Sequence, residues 1–370
     1  MKLLSLFLSL LFSCFLLSEA CASEVPLFAT EEPVQIKVIA PLKTLKKQRG
    51  EELEELSGHV KVIGNDGAER TLDIQIVARG NFRRQKDICA MPPFWLNFKK
   101  KQVEGTVFEG QDKLKVVSHC RESRRPFDAY IYREYLTYKT YQLLTDRSFA
   151  VRLARIDYED TESKYRKESQ IGFFIEHNNG FEDRHGLKQV KDQFIPPSQY
   201  DLKELCLADI FQYMVSNLDY TFFDSLDECC HNGKAFQREG MDGGFFPVPY
   251  DFDMSGLVNA PYAKPNPAFK RIGIKKVTDR YYLGVSVSDE IWTETLQYYM
   301  TKKAEIYALW ENFEPLEDKQ RLEALDFIDN FYAIIEDPEK LQSHMTKKMR
   351  SIEKLEASTL RKIEAAKQAK

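Results

Sequence analysis

A change of hydrophobic period near Pro126 constrains the fold of this chain more than any other feature. Between Val34 and Val117 apolar residues recur at every second position, which is typical of strands with one buried face. The turn signal Asn65-Asp66-Gly67 indicates a hairpin within this part. The predicted strands are Val34–Val38, His59–Ile63, Leu72–Ile76, Phe94–Phe98 and Leu114–Val117. The sequence therefore predicts an α+β fold in which an antiparallel sheet precedes a mainly helical part.

Beyond Pro126 the apolar residues recur at helical spacing. A helix is predicted over Phe127–Leu144, and a second begins at Asp201, whose carboxylate can cap it while Glu204 closes a capping box. The apolar stripe of this second helix indicates that it is buried, and Asp219 falls where the stripe stops. Further helices are predicted over Ile291–Trp310, Leu322–Ile335 and His344–Lys370.

The N-terminus has the pattern of a secretory signal. Lys2 precedes an apolar run, and Ala20-Cys21-Ala22 fits the small-x-small cleavage rule, which predicts cleavage after Ala22 and a mature protein beginning at Ser23. A lipoprotein signal at Cys21 is the weaker alternative, because Glu19 fits that signal poorly. No later stretch approaches the roughly 20 apolar residues of a transmembrane helix. We therefore expect an exported protein, periplasmic or extracellular, without a transmembrane segment.

Charge and cysteine content fit this interpretation. The net charge of −4 argues against a nucleic-acid partner, which would need a basic face. Cysteines of an exported chain are first interpreted as disulfides. Cys89 and Cys120 are the preferred pair, because each ends a strand-like segment. Cys206 with Cys229 or Cys230 is the second expected pair, and one cysteine is left over.

The segment Phe246–Pro261 carries the strongest chemical signal. Asp251 and Asp253 are separated by one residue, so in an extended segment both carboxylates point the same way. Two like charges this close disfavour each other's ionisation unless a cation lies between them. A divalent ion such as Mg²⁺ or Mn²⁺ is the expected cation, since it takes oxygen ligands and leaves positions for phosphate. A turn with solvated acids is the structural alternative.

The order of these motifs resembles the spore-coat CotH kinase family, whose members are secreted and have an atypical kinase-like fold. The resemblance covers about residues 75–262. The motifs that carry it are Arg79-Gly80-Asn81, Phe173-Phe174-Ile175-Glu176, Asn217-Leu218-Asp219, His231-Asn232 and Pro249-Tyr250-Asp251-Phe252-Asp253. It implies a two-lobed, protein-kinase-like fold with an antiparallel β N-terminal lobe and a mainly helical C-terminal lobe. It also implies ATP as nucleotide, Mg²⁺ or Mn²⁺ as cofactor and a protein substrate.

The resemblance implies a role for each matching residue. Asp219 corresponds to the catalytic aspartate that accepts the proton of the substrate hydroxyl. Asp251 corresponds to the metal-binding aspartate, with Asp253 as a candidate second ligand and Asn232, or His231 beside it, as a further metal-binding residue. Glu134 corresponds to the helix glutamate that orients a phosphate-binding lysine. Arg79 and Asn81 would approach the nucleotide phosphates.

The sequence also departs from the family. It has no G-x-G-x-x-G loop, and Cys89 to Pro93 occupies the place of a basic residue, so the nearest lysines are Lys99, Lys113 and Lys115. Of these, Lys115 is the candidate for binding the nucleotide. Two alternatives stay open: a degenerate kinase-like envelope or surface protein that only binds, and a metal-dependent nucleotide-sugar transferase that uses the D-x-D. The predicted division is 1–22 signal, 23–125 β lobe, 126–287 catalytic-type core and 288–370 helical region.

Overall fold

Seven strands form a closed barrel. The computed structural model describes residues 26–50, 52–121, 126–190, 194–223, 232–241 and 243–368. The strand order is β1-β2-β3-β4-β5-β7-β6, and β1 closes the barrel by pairing parallel with β6, while the other neighbouring strands are antiparallel. The strands are β1 (Val34–Ala40), β2 (Leu56–Ile63), β3 (Glu69–Ala78), β4 (Phe94–Phe98), β5 (Lys113–Val117), β6 (Val151–Asp160) and β7 (Arg166–Ile175).

This barrel corrects the predicted fold. The expected two-lobed, protein-kinase-like architecture with an antiparallel β lobe is wrong, because the sheet is closed and contains a parallel pair. Strands β6 and β7 follow the first long helix, where only helical spacing was predicted, and they insert between β5 and β1. Without them β1 and β5 would be edge strands with unpaired backbone groups. Pairing between distant segments, which alternation does not reveal, therefore decides the architecture.

The five predicted strands and their hairpin are confirmed locally. β2 pairs antiparallel with β3 across the Asn65–Gly67 turn, where Gly67 has a φ of +80° that glycine adopts without steric cost. Inside the barrel, alternate side chains pack into one apolar core, as the period of two predicts. Fully buried members of this core include Ile36, Val60, Ile76, Leu96, Leu114 and Phe174.

The helical part contains a small sheet besides its helices. Its strands, in the order β10-β9-β8, are β8 (Leu187–Val190), β9 (Gly233–Arg238) and β10 (Phe246–Pro249). The α-helices are α1 (Leu42–Leu45), α2 (Pro126–Leu144), α3 (Asn178–His185), α4 (Leu202–Val215), α5 (Asp289–Glu311), α6 (Asp318–Ile335), α7 (Pro338–His344) and α8 (Ile352–Gln368). Short 3₁₀ turns lie at Pro26–Phe28, Lys100–Gln102, Pro197–Gln199, Pro267–Ile272 and Thr346–Lys348.

Helix boundaries follow the predicted signals with two differences. Asp201 caps α4 by accepting hydrogen bonds from the N–H groups of Lys203 and Glu204. The Glu204 side chain pairs with Arg147 instead of closing the capping box. The last predicted helix begins at Ile352 rather than His344, because Met345 is fully buried in the core and has a non-helical backbone conformation.

Helix α2 packs between the barrel and the other helices. The Tyr138 ring lies edge-on to Phe173 of β7 and to Phe252, with centroid distances of 6.0 and 4.7 Å. On another face of α2, Trp310 of α5 donates a hydrogen bond from Nε1 to Thr140 Oγ1 at 3.0 Å. Large buried aromatic rings contribute much of a core's apolar area. α2 is therefore held by the barrel on one side and by α5 on the other, and these contacts fix the position of Glu134 on α2.

The cysteines confirm one expected bridge and correct the other. Cys89 and Cys120 form a disulfide. Cys206 is a free, buried thiol on α4, so its expected bridge is wrong. Cys229 and Cys230, like the predicted signal 1–22 and the mature start at Ser23, lie outside the described residues. Within the described ranges, no helix has the length and apolar character that crossing a membrane requires.

Candidate functional site

The candidate site lies where the loop after β3, strand β5, helix α2 and the loop after β10 meet. Its centre is Arg83, a residue that the sequence did not single out. Arg83 Nε donates to Asp253 Oδ2 at 2.7 Å, and its Nη2 donates to Glu134 Oε2 at 2.6 Å and lies 3.9 Å from Asp251 Oδ1. The Arg83 side chain is 6% exposed, and Glu134 is 1% exposed. We call Arg83, Glu134, Asp251 and Asp253 the Arg83 cluster.

Burial decides the protonation of this cluster. Burial raises the pKa of Glu134 to about 8, although Arg83 opposes the rise. Burial and the neighbouring Asp253 raise the pKa of Asp251, against the attraction of Arg83, Arg79 and Lys115. Glu134 therefore keeps its proton at neutral pH, and Asp251 is the carboxyl group whose ionisation a further cation would favour most.

Asp251 reaches the site through backbone geometry that differs from the prediction. β10 ends at Pro249, and Asp251 has a φ of +60°, a left-handed conformation that is rare for non-glycine residues and costs free energy. Its N–H donates to the Tyr138 hydroxyl at 2.7 Å, which helps to hold this conformation. The extended segment that was expected to align Asp251 with Asp253 is therefore absent, and Arg83 brings the two carboxylates together instead.

Lys115 of β5 is a buried cation that faces this region. It is 5% exposed, and its Nζ has no hydrogen-bond acceptor among the described residues. Its Nζ lies 5.0 Å from the Phe149 ring centroid and 5.8 Å from that of Tyr250. Burial, followed by repulsion from Lys234 and Arg79, holds the pKa of Lys115 well below its usual value, and Asp251 counteracts this. Such an ammonium is suited to bind an anion that enters the site.

Asp219 and Asn232 form a pair beside Asp251. Helix α4 ends at Ser216 in a left-handed conformation, and Asn217 Oδ1 then accepts a hydrogen bond from the Asp219 N–H at 3.0 Å. Asn232 donates from Nδ2 to Asp219 Oδ2 at 2.8 Å, and its carbonyl accepts from the Tyr250 N–H at 3.2 Å. The Asp219–Asn232 pair is thus joined directly to the residue that precedes Asp251. His231 lies outside the described residues.

Arg79 and Asn81 line an open cavity of about 450 Å³ on the barrel side of the site. The Arg79 guanidinium lies 5.6 Å from the Trp95 ring, and Lys113 Nζ lies 5.0 Å from the same ring. Cations over an indole face are held by its negative potential. The cavity therefore combines an aromatic surface with positive charge. The residues that line it are Leu53, Val77, Ala78, Arg79, Gly80, Asn81, Arg84, Trp95 and Lys113.

The structure brings most of the predicted residues into one region but rearranges their partners. Glu134, Asp251 and Asp253 meet through Arg83, and among the described ion pairs Glu134 binds Arg83 rather than Lys115. Arg83 and Lys234 also lie in this region and were not predicted from the sequence. Arg83 follows Arg79-Gly80-Asn81 closely, which is a weak signal, but sequence does not separate a buried arginine from an exposed one. Lys234 follows Asn232 on β9 and offers no distinguishing pattern.

A divalent ion fits the donors at Asp251. The Asp251 side chain is 37% exposed, and among the described ion pairs it makes only the long contact to Arg83, so it keeps coordinating capacity. The Asn232 side chain uses its amide nitrogen on Asp219, which leaves its oxygen as a donor for a hard cation. Among the described residues, no group of three or more His, Cys, Asp or Glu side chains is arranged to hold a metal ion. Phosphate oxygens and water would have to complete the coordination.

Comparison with known proteins adds little. No protein-family model matches the chain, and no curated protein matches it. Among solved structures, the crystal structure of a Helicobacter pylori proinflammatory kinase, CtkA, matches with a TM-score of 0.37 and 10% identity, covering 65% of this chain and 90% of that chain. Similarity at this level does not define a shared activity, and the resemblance to the CotH family stays a prediction.

Proposed function

We propose that this protein is a phosphotransferase that moves a phosphoryl group from metal-bound ATP to a hydroxyl group of a protein substrate. One observation carries the proposal: the buried Lys115 has no acceptor among the described residues, and its Nζ lies 5.8 Å from the ring centroid of Tyr250. Tyr250 precedes Asp251 and donates its N–H to Asn232 of the Asp219–Asn232 pair. Phosphoryl transfer asks a protein mainly for such positioning and for neutralisation of charge.

Each residue has a role in this proposal. Lys115 and Arg79, assisted by Lys234, bind phosphate oxygens, and Asn81 lines the cavity through which the nucleotide enters. Asp219, positioned by Asn232, accepts the proton of the attacking hydroxyl. Asp251 holds Mg²⁺ or Mn²⁺ with the side-chain oxygen of Asn232. When bound, the ion would neutralise the nucleotide phosphates and so favour attack by an oxygen nucleophile.

Metal and nucleotide binding can be tested without an activity assay. Mn²⁺ or Mg²⁺ should raise the thermal midpoint of the protein, and ATP should raise it further, because ligands that bind only the folded state stabilise it. Asp251→Ala should abolish both shifts, whereas Asp253→Ala should weaken them less. Asp326→Ala, on helix α6, is the matched control. Wild-type protein without any metal-dependent shift in differential scanning fluorimetry would contradict the proposal.

The catalytic role of Asp219 has its own test. Asp219→Asn should keep the nucleotide-dependent thermal shift and lower turnover by roughly 10²-fold or more, because the amide cannot accept the proton. Transfer of labelled γ-phosphate to an acceptor protein measures turnover. Unchanged kinetics in Asp219→Asn would end the catalytic assignment even if ATP binds.

A binding protein without turnover is the second candidate, and one observation favours it. Glu134 is held by Arg83, so the pairing with Lys115 that the kinase resemblance implies is not formed in this structure. ATP-dependent stabilisation combined with no transfer would support this candidate. A nucleotide-sugar transferase is less well supported, because Asp251 follows an antiparallel strand rather than the parallel β-α-β units typical of that class.

We also propose that the protein acts outside the cytoplasm, periplasmic or extracellular, after cleavage behind Ala22. The Cys89–Cys120 disulfide supports this, since disulfides persist mainly in oxidising compartments. The signal itself lies outside the described residues.

A further inference from the structure

The Arg83 guanidinium is a positive charge at the centre of the Arg83 cluster. Three carboxylates from two elements converge on a single guanidinium: Glu134 comes from α2, and Asp251 and Asp253 come from the loop after β10. Two of the contacts are hydrogen-bonded at 2.6 and 2.7 Å, whereas Asp251 is 3.9 Å away. Asp251 is also the most exposed of the three, at 37% against 1% for Glu134 and 8% for Asp253.

These differences divide the carboxylates into two groups. Asp253 and Glu134 are buried and already paired with Arg83. Moving either of them to a metal ion would break one of the two short contacts of the buried Arg83 guanidinium, which is costly. Asp251 can take an ion without breaking a short contact. Lys115 is buried, and its Nζ has no acceptor among the described residues. This Nζ lies 5.8 Å from the ring centroid of Tyr250, the residue before Asp251, so an anion bound by Lys115 would lie next to the Asp251 loop.

We propose that Arg83 is a positioning residue that replaces a second divalent cation: it occupies Asp253 and Glu134 through hydrogen bonds and limits the site to a single metal ion at Asp251. This inference rests on the metal site of the proposed function. Through its hydrogen bond to Asp253, Arg83 also connects the loop after β3 to the loop after β10. The first loop carries Arg79 and Asn81, and the second carries Asp251. The phosphate-binding and metal-binding loops therefore keep a defined separation before any ligand arrives.

Metal stoichiometry tests the inference, with Mn²⁺ as the probe. Wild-type protein should bind a single Mn²⁺ ion, counted by electron paramagnetic resonance of free Mn²⁺ during titration. Arg83→Met removes the guanidinium at similar volume and leaves Asp253 and Glu134 unpaired. It should unfold at lower temperature than wild type without metal, bind a second Mn²⁺ ion, and gain more from Mn²⁺ in its thermal midpoint.

Arg133→Met is the matched control. Arg133 is the neighbour of Glu134 on α2, is equally buried and pairs with Glu323 at 2.9 Å on the other side of the helix. This variant should lose stability in a similar way but keep the wild-type Mn²⁺ stoichiometry. A purely structural role of Arg83 would make the two variants behave alike, and that result would overturn the inference.

Single carboxylate variants keep the inference testable if Arg83→Met does not fold. Asp251→Asn should weaken Mn²⁺ binding by roughly 100-fold, whereas Asp253→Asn should weaken it by less than about 10-fold. Equal losses in the two variants would overturn the inference. Two Mn²⁺ ions in wild type would also overturn it and leave the proposed function intact. No Mn²⁺ in wild type but one ion in Arg83→Met would instead contradict the proposed metal site and support Arg83 as the substitute cation.

Discussion

Lys115 and Asp209 are ionisable side chains whose charged forms are disfavoured by burial. Lys115 has no acceptor among the described residues. Asp209 is 1% exposed on α4, where its carboxylate accepts hydrogen bonds from the Tyr220 hydroxyl at 3.0 Å and the Val285 N–H at 3.2 Å. Buried charges with incomplete compensation lower stability and often mark functional positions.

Lys115 should stabilise a bound anion while destabilising the free protein. Lys115→Met should therefore raise the free energy of unfolding of the ligand-free protein by about 1–3 kcal/mol, because it removes a desolvated charge. The same variant should lose the ATP-dependent thermal shift. Chemical denaturation with and without Mg²⁺-ATP measures both effects. Lys113→Met, on the same strand, should not raise the ligand-free stability, and a Lys115→Met variant less stable than wild type would contradict the prediction.

Asp209 should make stability depend on pH in a defined window. Burial raises the pKa of Asp209 from 3.8 to about 6. The folded state then holds a proton that the unfolded state has released, so this contribution to stability is full below pH 3.8 and is lost as pH rises to about 6. Urea unfolding of wild type and Asp209→Asn across this range should show a difference that changes by about 3 kcal/mol. A pH-independent difference would contradict the prediction.

At the scale of elements, the loop between β3 and β4 connects the barrel to the site. It carries Arg79, Asn81 and Arg83, and several contacts fasten it. The disulfide joins Cys89 to Cys120, which follows β5. Arg49 donates to the Arg84 carbonyl, and Arg121 donates to the carbonyls of Ile88 and Asp87. These contacts fix the backbone on both sides of Arg83, so the loop between β3 and β4 determines the position of the Arg83 side chain in the site.

The disulfide should therefore affect both stability and metal binding. Its closed loop spans 31 residues, and Cys89→Ser with Cys120→Ser should lower the free energy of unfolding by about 2–4 kcal/mol, because the unfolded chain gains freedom. The looser loop should also weaken Mn²⁺ binding, measured by the same titration. Cys206→Ala serves as the control, since Cys206 is a free thiol. Unchanged Mn²⁺ affinity in the double variant would show that the loop positions itself without the disulfide.

At the scale of the whole molecule, α2 and the Arg83 cluster join the barrel to the helices. α2 contacts β7 through Tyr138 and α5 through Thr140, while Glu134 of the same helix reaches the loop after β3 through Arg83. A ligand that bridges Lys115 and Asp251 would add a further connection between the barrel and the helical part. The disulfide near this junction fits a protein made for an oxidising compartment.

The exported form should begin at Ser23 and contain the Cys89–Cys120 bridge. The sequence pattern at Ala20-Cys21-Ala22 and the observed bridge motivate this expectation. Intact mass and disulfide-linked peptide mapping of protein from the exported fraction would measure both features. Lipid on Cys21, or free thiols at both Cys89 and Cys120, would contradict it.

Local patterns were enough for much of the fold. Alternation predicted β1 to β5, the Asn65–Gly67 signal predicted their hairpin, and helical spacing predicted α2, α4, α5 and α6. The Cys89–Cys120 bridge could also be predicted from the sequence, because each cysteine ends a strand-like segment. These features depend on residues close in sequence, or on a small set of possible pairs, so the amino-acid order by itself determined them.

Only the tertiary structure decided how these parts meet. Barrel closure needs β6 and β7 to cross from beyond α2 and to insert between β5 and β1. At the site, Arg83 meets Asp253 across 170 residues and Glu134 across 51, so no local pattern indicates either contact. The conformation of Asp251 and the lack of an acceptor for Lys115 among the described residues also result from contacts between distant segments. Contacts between distant segments are selected by packing and by compensation of buried charge, and these depend on the folded arrangement rather than on residue order.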